Sequence, residues 1–314
     1  MKAMVLAAGL GERMRPLTLI RAKPALPVLN RPLIHWTLER LRRAGVTDVV
    51  INLHHLPRTV RVAVGDGRRF GLCVRYSFER EILGTGGGPR KVRRWLGDEP
   101  FLLVNGDVIF DFDLRELCAR HRRSGACATL ALKANPDPRR YPSVVTGPGG
   151  RVRALRGLPR PARGTLSLFT GVQVLDPALL ERLPPGPSDS VRDLYAPLID
   201  AGARLRGVRV RGAWYDLGDP SLYLASQIAL LRGSGCLLHP QARVAAGARV
   251  VRSVIGEGAR VEAGARVERS LLWEDVKIGA GARVSGSVLA SGVRVEAGER
   301  VENRVVTATG RTRS

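Results

Sequence analysis

The sequence predicts an α/β domain followed by a parallel β-helix. Three observations predict it. Apolar runs alternate with helical patterns up to about Leu231, helical spacing then stops, and from about Cys236 apolar residues recur roughly every six positions with small pairs between them. The chain of 314 residues has room for one large domain or two ordinary ones, and a 44% apolar share is ordinary for a globular core. The expected division is 1–232 and 236–305, with a tail over 306–314.

The run MVLAAG from Met4 reads as a buried strand. RPLIHWTLERLRRAG follows, with Leu33, Ile34, Leu38 and Leu41 at helical spacing and Gly45 as its stop. DVVINL and LCVRYSFE are the next strands, and GGPRKVRRWLG is a short helix. FLLVNGDVIF reads as one strand ending in an acidic turn. DLRELCARHRRSG is a helix and CATLALKA a strand. This alternation predicts a Rossmann-like, mostly parallel sheet with helices on both faces.

In the second half the units VAAGAR, VIGEGAR, VEAGAR, VKIGAGAR and VRVEAGER repeat. Val244, Val250, Ile255, Val261, Val267, Ile278, Val284, Leu289, Val295 and Val301 mark the inward positions. One inward apolar residue per side and a tight turn per corner describe a left-handed parallel β-helix. ERSLLWED breaks the count and reads as a small side excursion. The arginines before the inward valines, and Glu262, Glu268, Glu296 and Glu302 after them, should point outward.

The net charge of +23 raises nucleic acid as a partner. Its distribution argues against that. Five of the 51 basic residues are lysines, the rest are arginines spread along the whole chain, and aromatics are only 5% with no interleaving among the cations. A solvated arginine bias is the simpler reading, with a secondary effect of gathering anionic substrates. No apolar run reaches membrane-spanning length, so no membrane partner is expected. The chain enters a strand pattern at once, and Cys73, Cys118, Cys127 and Cys236 have neither metal nor redox spacing. A reduced, cytoplasmic protein is expected.

Behind the first strand come Gly9, Gly11, Arg13, Arg15 and Lys23. A glycine turn lets backbone N–H groups approach a phosphate, and the cations can hold several phosphates. The P-loop pattern fails because no G-K-[ST] follows. The dinucleotide fingerprint fails because Met14 stands at its third glycine.

LAAGLGERMRPLT followed by AKPALPVLNRPLI closely resembles the signature of the sugar-1-phosphate nucleotidyltransferases. LGTGGG (83–88), LLVNGDV (102–108), FTGVQVLD (169–176) and WYDLGDP (214–220) fall in that family's order and spacing, and together they cover about residues 1–230. A trailing hexapeptide β-helix is also found there, among mannose-1-phosphate guanylyltransferases and glucose-1-phosphate adenylyl- and uridylyltransferases. The resemblance implies attack of a sugar 1-phosphate oxygen on the α-phosphate of a nucleoside triphosphate, with pyrophosphate leaving in line. It implies Arg13 on the triphosphate and Lys23 on the α-phosphate or the attacking phosphate, as the catalytic cations. Ala7, Gly9, Gly11, Gly84, Thr85, Gly86 and Asp107 would bind the nucleotide. Gly171 and Asp216 would meet the sugar phosphate, and Asp107 with Asp216 would hold Mg²⁺, which prefers carboxylates plus substrate phosphates. Val144 and Val145 would line the sugar pocket or fill the core, and Trp214 would pack beside the metal loop.

Two stretches depart from the family. GRVRALRGLPRPARG (150–164) lacks the E-K-P segment whose lysine binds the sugar phosphate in many relatives, leaving Arg153 or Arg156 as the nearest charge. The usual G-T-P is Gly218-Asp219-Pro220. The implied activity is mannose-1-phosphate guanylyl transfer, with glucose-1-phosphate uridylyl, adenylyl or thymidylyl transfer as alternatives. A non-catalytic nucleotide-sugar sensor is a second class. Acyl transfer by the β-helix is a third, which would need a histidine there, and only His239 lies in that half. The flat faces of the β-helix favour assembly, so a homo-oligomer is expected.

Overall fold

The computed structural model describes residues 1–231 and 235–313. The expected boundary at 232 and the last residue, 314, lie outside the described residues. Two compact units form, and they do not follow chain order. Met1–Leu10 joins Ile34–Trp214, and Gly11–Leu33 joins Tyr215–Ser314.

The first unit is built on β1 (Lys2–Leu6), β2 (Asp48–Leu53), β3 (Cys73–Phe78) and β4 (Phe101–Asn105). These lie in the order β4-β1-β2-β3 and run parallel, as the strand–helix alternation requires. Ala3, Met4 and Val5 of β1 are fully buried. That burial explains why the strand is a continuous apolar run rather than an alternating one. α1 (Leu33–Arg43) buries Leu33, Ile34, Leu38 and Leu41 completely, and α2 (Pro57–Val64) buries Val60 and Val64. α1 ends in a Schellman motif: the Val46 N–H donates to Leu41 O, the Gly45 N–H donates to Arg42 O, and Gly45 sits at φ +86°.

FLLVNGDVIF is two strands, not one. β4 stops at Asn105, Gly106 and Asp107 turn, and β5 (Val108–Phe110) begins. The Gly106 N–H donates to Leu6 O at 2.9 Å, and a Cβ on Gly106 would stand 2.7 Å from that oxygen. The chain turns where it meets the end of β1.

Beyond β4 the sheet becomes mixed. β6 (Ala128–Lys133), β7 (Ser143–Thr146) and β8 (Val152–Leu155) precede the long β9 (Thr165–Leu175), which pairs antiparallel with β4, β6 and β7. β10 (Leu205–Arg209) returns parallel to β6. Phe101, Leu103, Leu130, Val144, Leu175 and Tyr195 belong to one buried cluster on this sheet.

The second unit is dominated by three stacked sheets of short parallel strands, consistent with the left-handed β-helix expected. Arg243, Arg260, Lys277 and Arg294 stand in one column, and Arg249, Arg266, Arg283 and Arg300 in another. Each coil is therefore 17 residues long. Two sides take six residues and the third takes five, as from Val267 to Leu272 and from Val284 to Leu289. ERSLLWED is accordingly no excursion. Leu271–Leu272 pairs in register with Val254–Ile255 and Val288–Leu289, and the short side recurs in every turn. The inward residues from Ile255 to Val301 are buried, while Val244 and Val250 of the opening coil are half-buried. The predicted arginines and the four glutamates are exposed. At one corner Ser253, Ser270 and Ser287 are fully buried, and each hydroxyl oxygen accepts a backbone N–H from the next coil, from Ser270, Ser287 and Arg304, at 3.1 Å. The expected tail is structured: Arg304–Thr307 pairs antiparallel with Gly310–Arg313.

The segment Gly11–Leu33 is held within this unit. Tyr223 Oη and Gln227 Nε2 donate to Pro27 O, the Leu29 N–H donates to Gln227 Oε1 at 2.9 Å, and Asn30 Nδ2 donates to Ile255 O at 2.9 Å. Arg21 pairs with Glu274 at 2.8 Å. Burial pushes the Glu274 carboxyl up, but hydrogen bonds from Arg21 and Ser291 and the Arg21 charge outweigh it and hold the group below its ordinary 4.5. A depressed carboxylate contributes stability above its ordinary value and loses it as pH falls below that value.

Two outcomes follow for stability. Ile278, fully buried, should cost about 2–5 kcal/mol on substitution by alanine, whereas exposed Arg283→Ala should stay within about 0.5 kcal/mol; urea unfolding compares them. Between about pH 6 and about pH 3 the wild type should lose more melting temperature than Glu274→Gln, and equal losses would contradict the ion-pair account.

Candidate active site

In the first unit, the carboxyl ends of β1, β2, β3 and β4 present Ala7, Asn52, Glu79 and Asp107 along one edge of the parallel strands. Ligands of open α/β sheets bind at such edges. Glu79 is 1% exposed and Asn52 2%. Asn52 Nδ2 donates to Glu79 Oε1 at 2.8 Å, and Asn52 Oδ1 accepts the Ala7 N–H at 2.7 Å. Glu79 Oε2 accepts the Leu83 N–H at 2.9 Å. One buried relay thus fixes where the first glycine turn leaves β1 and where α3 (Gly84–Lys91) begins. His54 is engaged here as well, with Nδ1 3.0 Å from Glu79 O. The N–H of Ala7 is thereby committed to Asn52.

Gly9 is exposed, and a Cβ there would meet nothing within 4 Å. That open space leaves the backbone of the turn accessible. The glycines of LGTGGG are different. The Gly86 N–H donates to Ser188 O, the Ser188 N–H donates to Leu83 O, and Thr85 Oγ1 accepts the Ser190 N–H, each at 2.9 Å. A Cβ on Gly84 would stand 2.6 Å from Ser188 O, one on Gly86 2.7 Å from Ser188 Oγ, and one on Gly87 2.2 Å from Gly186 O. These three glycines are explained by close packing on segment 186–190, and Gly84 also by its φ of +72°.

Asp107 is half-buried in the turn between β4 and β5. Gly171 faces the same strand end from β9. Its φ is +79°, and a Cβ would come within 2.8 Å of Asn105 Nδ2. The register of β9 on β6 shifts across this residue, between Phe169 and Gln173. Trp214 Nε1 donates to Thr170 O at 2.9 Å, which ties the tryptophan to the residue before Gly171. Val144 belongs to the core cluster. In the stretch lacking E-K-P, exposed Arg156 lies 3.5 Å from Asp189, and exposed Arg153 donates to Arg163 O at 3.3 Å.

In the second unit, Gly11 has φ +64° and opens the 3₁₀ turn Glu12–Met14. Its carbonyl accepts the Met14 N–H and the Thr18 hydroxyl, and a Cβ would stand 2.7 Å from Thr18 Cγ2. Arg13 and Arg15 are exposed, while Lys23 is only 8% exposed, at the start of the turn Lys23–Ala25. Asp216 is half-buried and folds over Gly218, where a Cβ would lie 2.9 Å from Asp216 Oδ2. Asp219 accepts the Leu222 N–H at 2.9 Å and caps the helix Pro220–Leu230, with proline at its first position. The G-D-P departure is therefore a helix cap, a task Asp and Thr both perform. His239 Nδ1 accepts the Gln241 N–H at 3.3 Å, a turn contact at the first coil.

The described residues contain no group of three or more His, Cys, Asp and Glu side chains that could hold a metal by themselves. Asp107 lies in the turn after β4 and Asp216 closes the short strand Trp214–Asp216; Mg²⁺ would take one or two such carboxylates and complete its shell with water and phosphate. Cys118 and His121 lie elsewhere, along a separate cavity. Burial pushes the Cys118 thiol up to about 11 and the His121 imidazole down, which leaves neither group charged near neutral pH.

The model of the nucleotidyl transferase family matches residues 2–232. The chain belongs to that family. A second model, the GMPPB C-terminal domain, matches residues 233–312. A UTP–glucose-1-phosphate uridylyltransferase of Synechocystis sp. is 33% identical over 233 residues, 69% of this chain and 60% of that protein. Two mannose-1-phosphate guanylyl- or guanyltransferases are also similar to this chain. The one from Aspergillus fumigatus is 31% identical over 71% of this chain and 62% of its own length; the one from Mycobacterium tuberculosis is 32% identical over 82% and 75%. The chain thus spans about three fifths of the first two relatives. A solved Bacillus anthracis protein, provisionally named glucose-1-phosphate thymidylyltransferase, superposes with a TM-score of 0.63 at 22% identity, covering 74% of this chain and 96% of that one; it supports the fold.

Sequence reasoning missed Glu79, Asn52 and the segment 186–190. Glu79 left one signal, an acid closing a strand directly before LGTGGG. Ser188 left none, because its partners lie about a hundred residues upstream.

The two kinds of glycine separate experimentally. Gly87→Ala should lower stability by about 1–3 kcal/mol and disturb α3, while Gly9→Ala should fold with wild-type melting temperature and weaken nucleotide binding. A melting-temperature loss in Gly9→Ala as large as in Gly87→Ala would contradict this assignment.

Proposed function

We propose that this protein is a Mg²⁺-dependent sugar-1-phosphate nucleotidyltransferase, with GTP and mannose 1-phosphate as its leading pair. The observation that carries the reading is the likeness to guanylyltransferases through both halves, including the GMPPB C-terminal match. The uridylyltransferase likeness supports UTP with glucose 1-phosphate as the second pair. We further assign 1–232 to catalysis and 236–305 to a β-helix that serves self-assembly, in the cytoplasm.

A phosphate oxygen of the sugar 1-phosphate attacks Pα of the triphosphate, the Pα–O bond to Pβ breaks, and pyrophosphate leaves with that oxygen. Such transfer depends on alignment and charge neutralisation. The open turn at Gly9 and Gly11 receives the phosphates against the backbone, and Ala7 meets the nucleotide with its carbonyl. Arg13 holds the triphosphate and the departing pyrophosphate. Lys23, buried and hence restricted in direction, neutralises the α-phosphate or the attacking phosphate. Gly84, Thr85 and Gly86, already pinned by Ser188 and Ser190, form a rigid wall for the base. Gly171 makes room for the sugar. Asp107 and Asp216 would hold Mg²⁺, which supplies charge stabilisation to the phosphates, and Asp216 also faces the sugar phosphate.

Pyrophosphate release should be screened with Mg²⁺, crossing GTP, UTP, ATP and dTTP with mannose, glucose, galactose and N-acetylglucosamine 1-phosphates. One preferred pair is expected, reduced at least about 100-fold in Asp107→Asn. Silence in every combination, from folded protein that binds nucleotide, would favour a nucleotide-sugar sensor instead.

A further inference from the structure

Arg21 sits between the functional cations of the opening segment, eight residues after Arg13 and two before Lys23. It does not face the same task. Its Nη1 donates to Glu274 Oε1 at 2.9 Å and its Nη2 to Glu274 Oε2 at 2.8 Å, a bidentate fork. Nη2 also donates to Ser291 Oγ at 3.1 Å, and that hydroxyl donates to Glu274 Oε2 at 2.6 Å. The guanidinium lies 5.3 Å from the ring centroid of Trp273, which is buried. Glu274 and Ser291 are 17 residues apart, one coil of the β-helix, so the fork clamps two successive coils at once.

An isolated surface ion pair contributes little. This one differs in three respects. The side chains of Arg21 and Glu274 are 28% and 31% exposed. A third polar group fixes the carboxylate, and the fork is stacked on an aromatic ring, a geometry lysine cannot reproduce. It also anchors a segment that lacks long regular structure, between the 3₁₀ turns Leu17–Leu19 and Lys23–Ala25. Lys23 is buried, so its direction follows its backbone, and that backbone is tied two residues upstream.

We propose that Arg21, Glu274 and Ser291 are positioning residues for Lys23 and Arg13, so that the β-helix takes part in transfer by holding the segment that carries them. The proposal rests on the reading of those two cations as phosphate ligands. A displacement of about 1 Å in such groups can cost up to about 100-fold in rate.

The test uses the full chain as Glu274→Gln, Arg21→Gln, the double variant and Glu274→Asp. The readouts are kcat and KM on the preferred pair, hydrogen exchange, and melting temperature. Each single substitution to glutamine should lower kcat about tenfold and leave KM for the nucleotide within about threefold. The double variant should be no worse than the worse single, and Glu274→Asp should retain more activity than Glu274→Gln. Exchange should rise over residues 12–26 and stay unchanged over 277–301. An unchanged kcat, or a rise spread through 277–301, would overturn the proposal in favour of a purely structural bridge. If the wild type turns over no pair, the catalytic reading fails separately, and exchange decides the clamp alone: a rise confined to 12–26 upholds it, and no rise removes it.

Discussion

A buried carboxylate sets the layout at the carboxyl ends of the parallel strands. Glu79 is out of reach of water, and an unfilled lone pair there would be costly. Asn52 and the Leu83 N–H fill its oxygens, and Asn52 in turn fixes the Ala7 N–H. Three chain segments therefore begin at set points: the turn after β1, the end of β2 and the start of α3. The density of glycine follows from this. Gly88 lies against the relay, where a Cβ would be 3.0 Å from both Asn52 Nδ2 and Glu79 Oε1, and Gly84, Gly86 and Gly87 lie against 186–188. Gly9, with open space around it, and the glycines that admit the protein's own backbone are thus distinct in cause.

What was legible in the sequence was whatever repeats locally. β1 showed itself because Ala3 through Leu6 are all apolar, α1 because Leu33, Ile34, Leu38 and Leu41 share one face, and the β-helix because each coil repeats the last. The five-residue side was hidden because a count of six tolerates one short step per turn, and it was misread at ERSLLWED. The break in FLLVNGDVIF was hidden because its cause, Leu6 O, is about a hundred residues away. The same reason hid Ser188 and the joining of Gly11–Leu33 to the C-terminal unit. Among the candidate site residues, the motifs supplied the names. The structure supplied their commitments: the Ala7 N–H and the Thr85 hydroxyl already have partners.

The departures from the family pattern have unequal weight. Asp219 in place of threonine keeps the cap of Pro220–Leu230, so the fold around Asp216 is preserved. In the stretch that lacks the E-K-P lysine, Arg153 and Arg156 are the nearest cations. Exposed Arg156 lies 3.5 Å from Asp189, and exposed Arg153 donates to Arg163 O at 3.3 Å.

The registers of the β-helix stack cation on cation, Arg249 through Arg300 on one face and Arg243 through Arg294 on another, with strands about 4.8 Å apart. Exposed like charges at that spacing repel, and dissolved ions screen them. Each added coil thus carries an electrostatic penalty set by the medium rather than by the fold. The β-helix half is therefore coupled to the ionic strength around it, because dissolved ions relieve the repulsion along these columns.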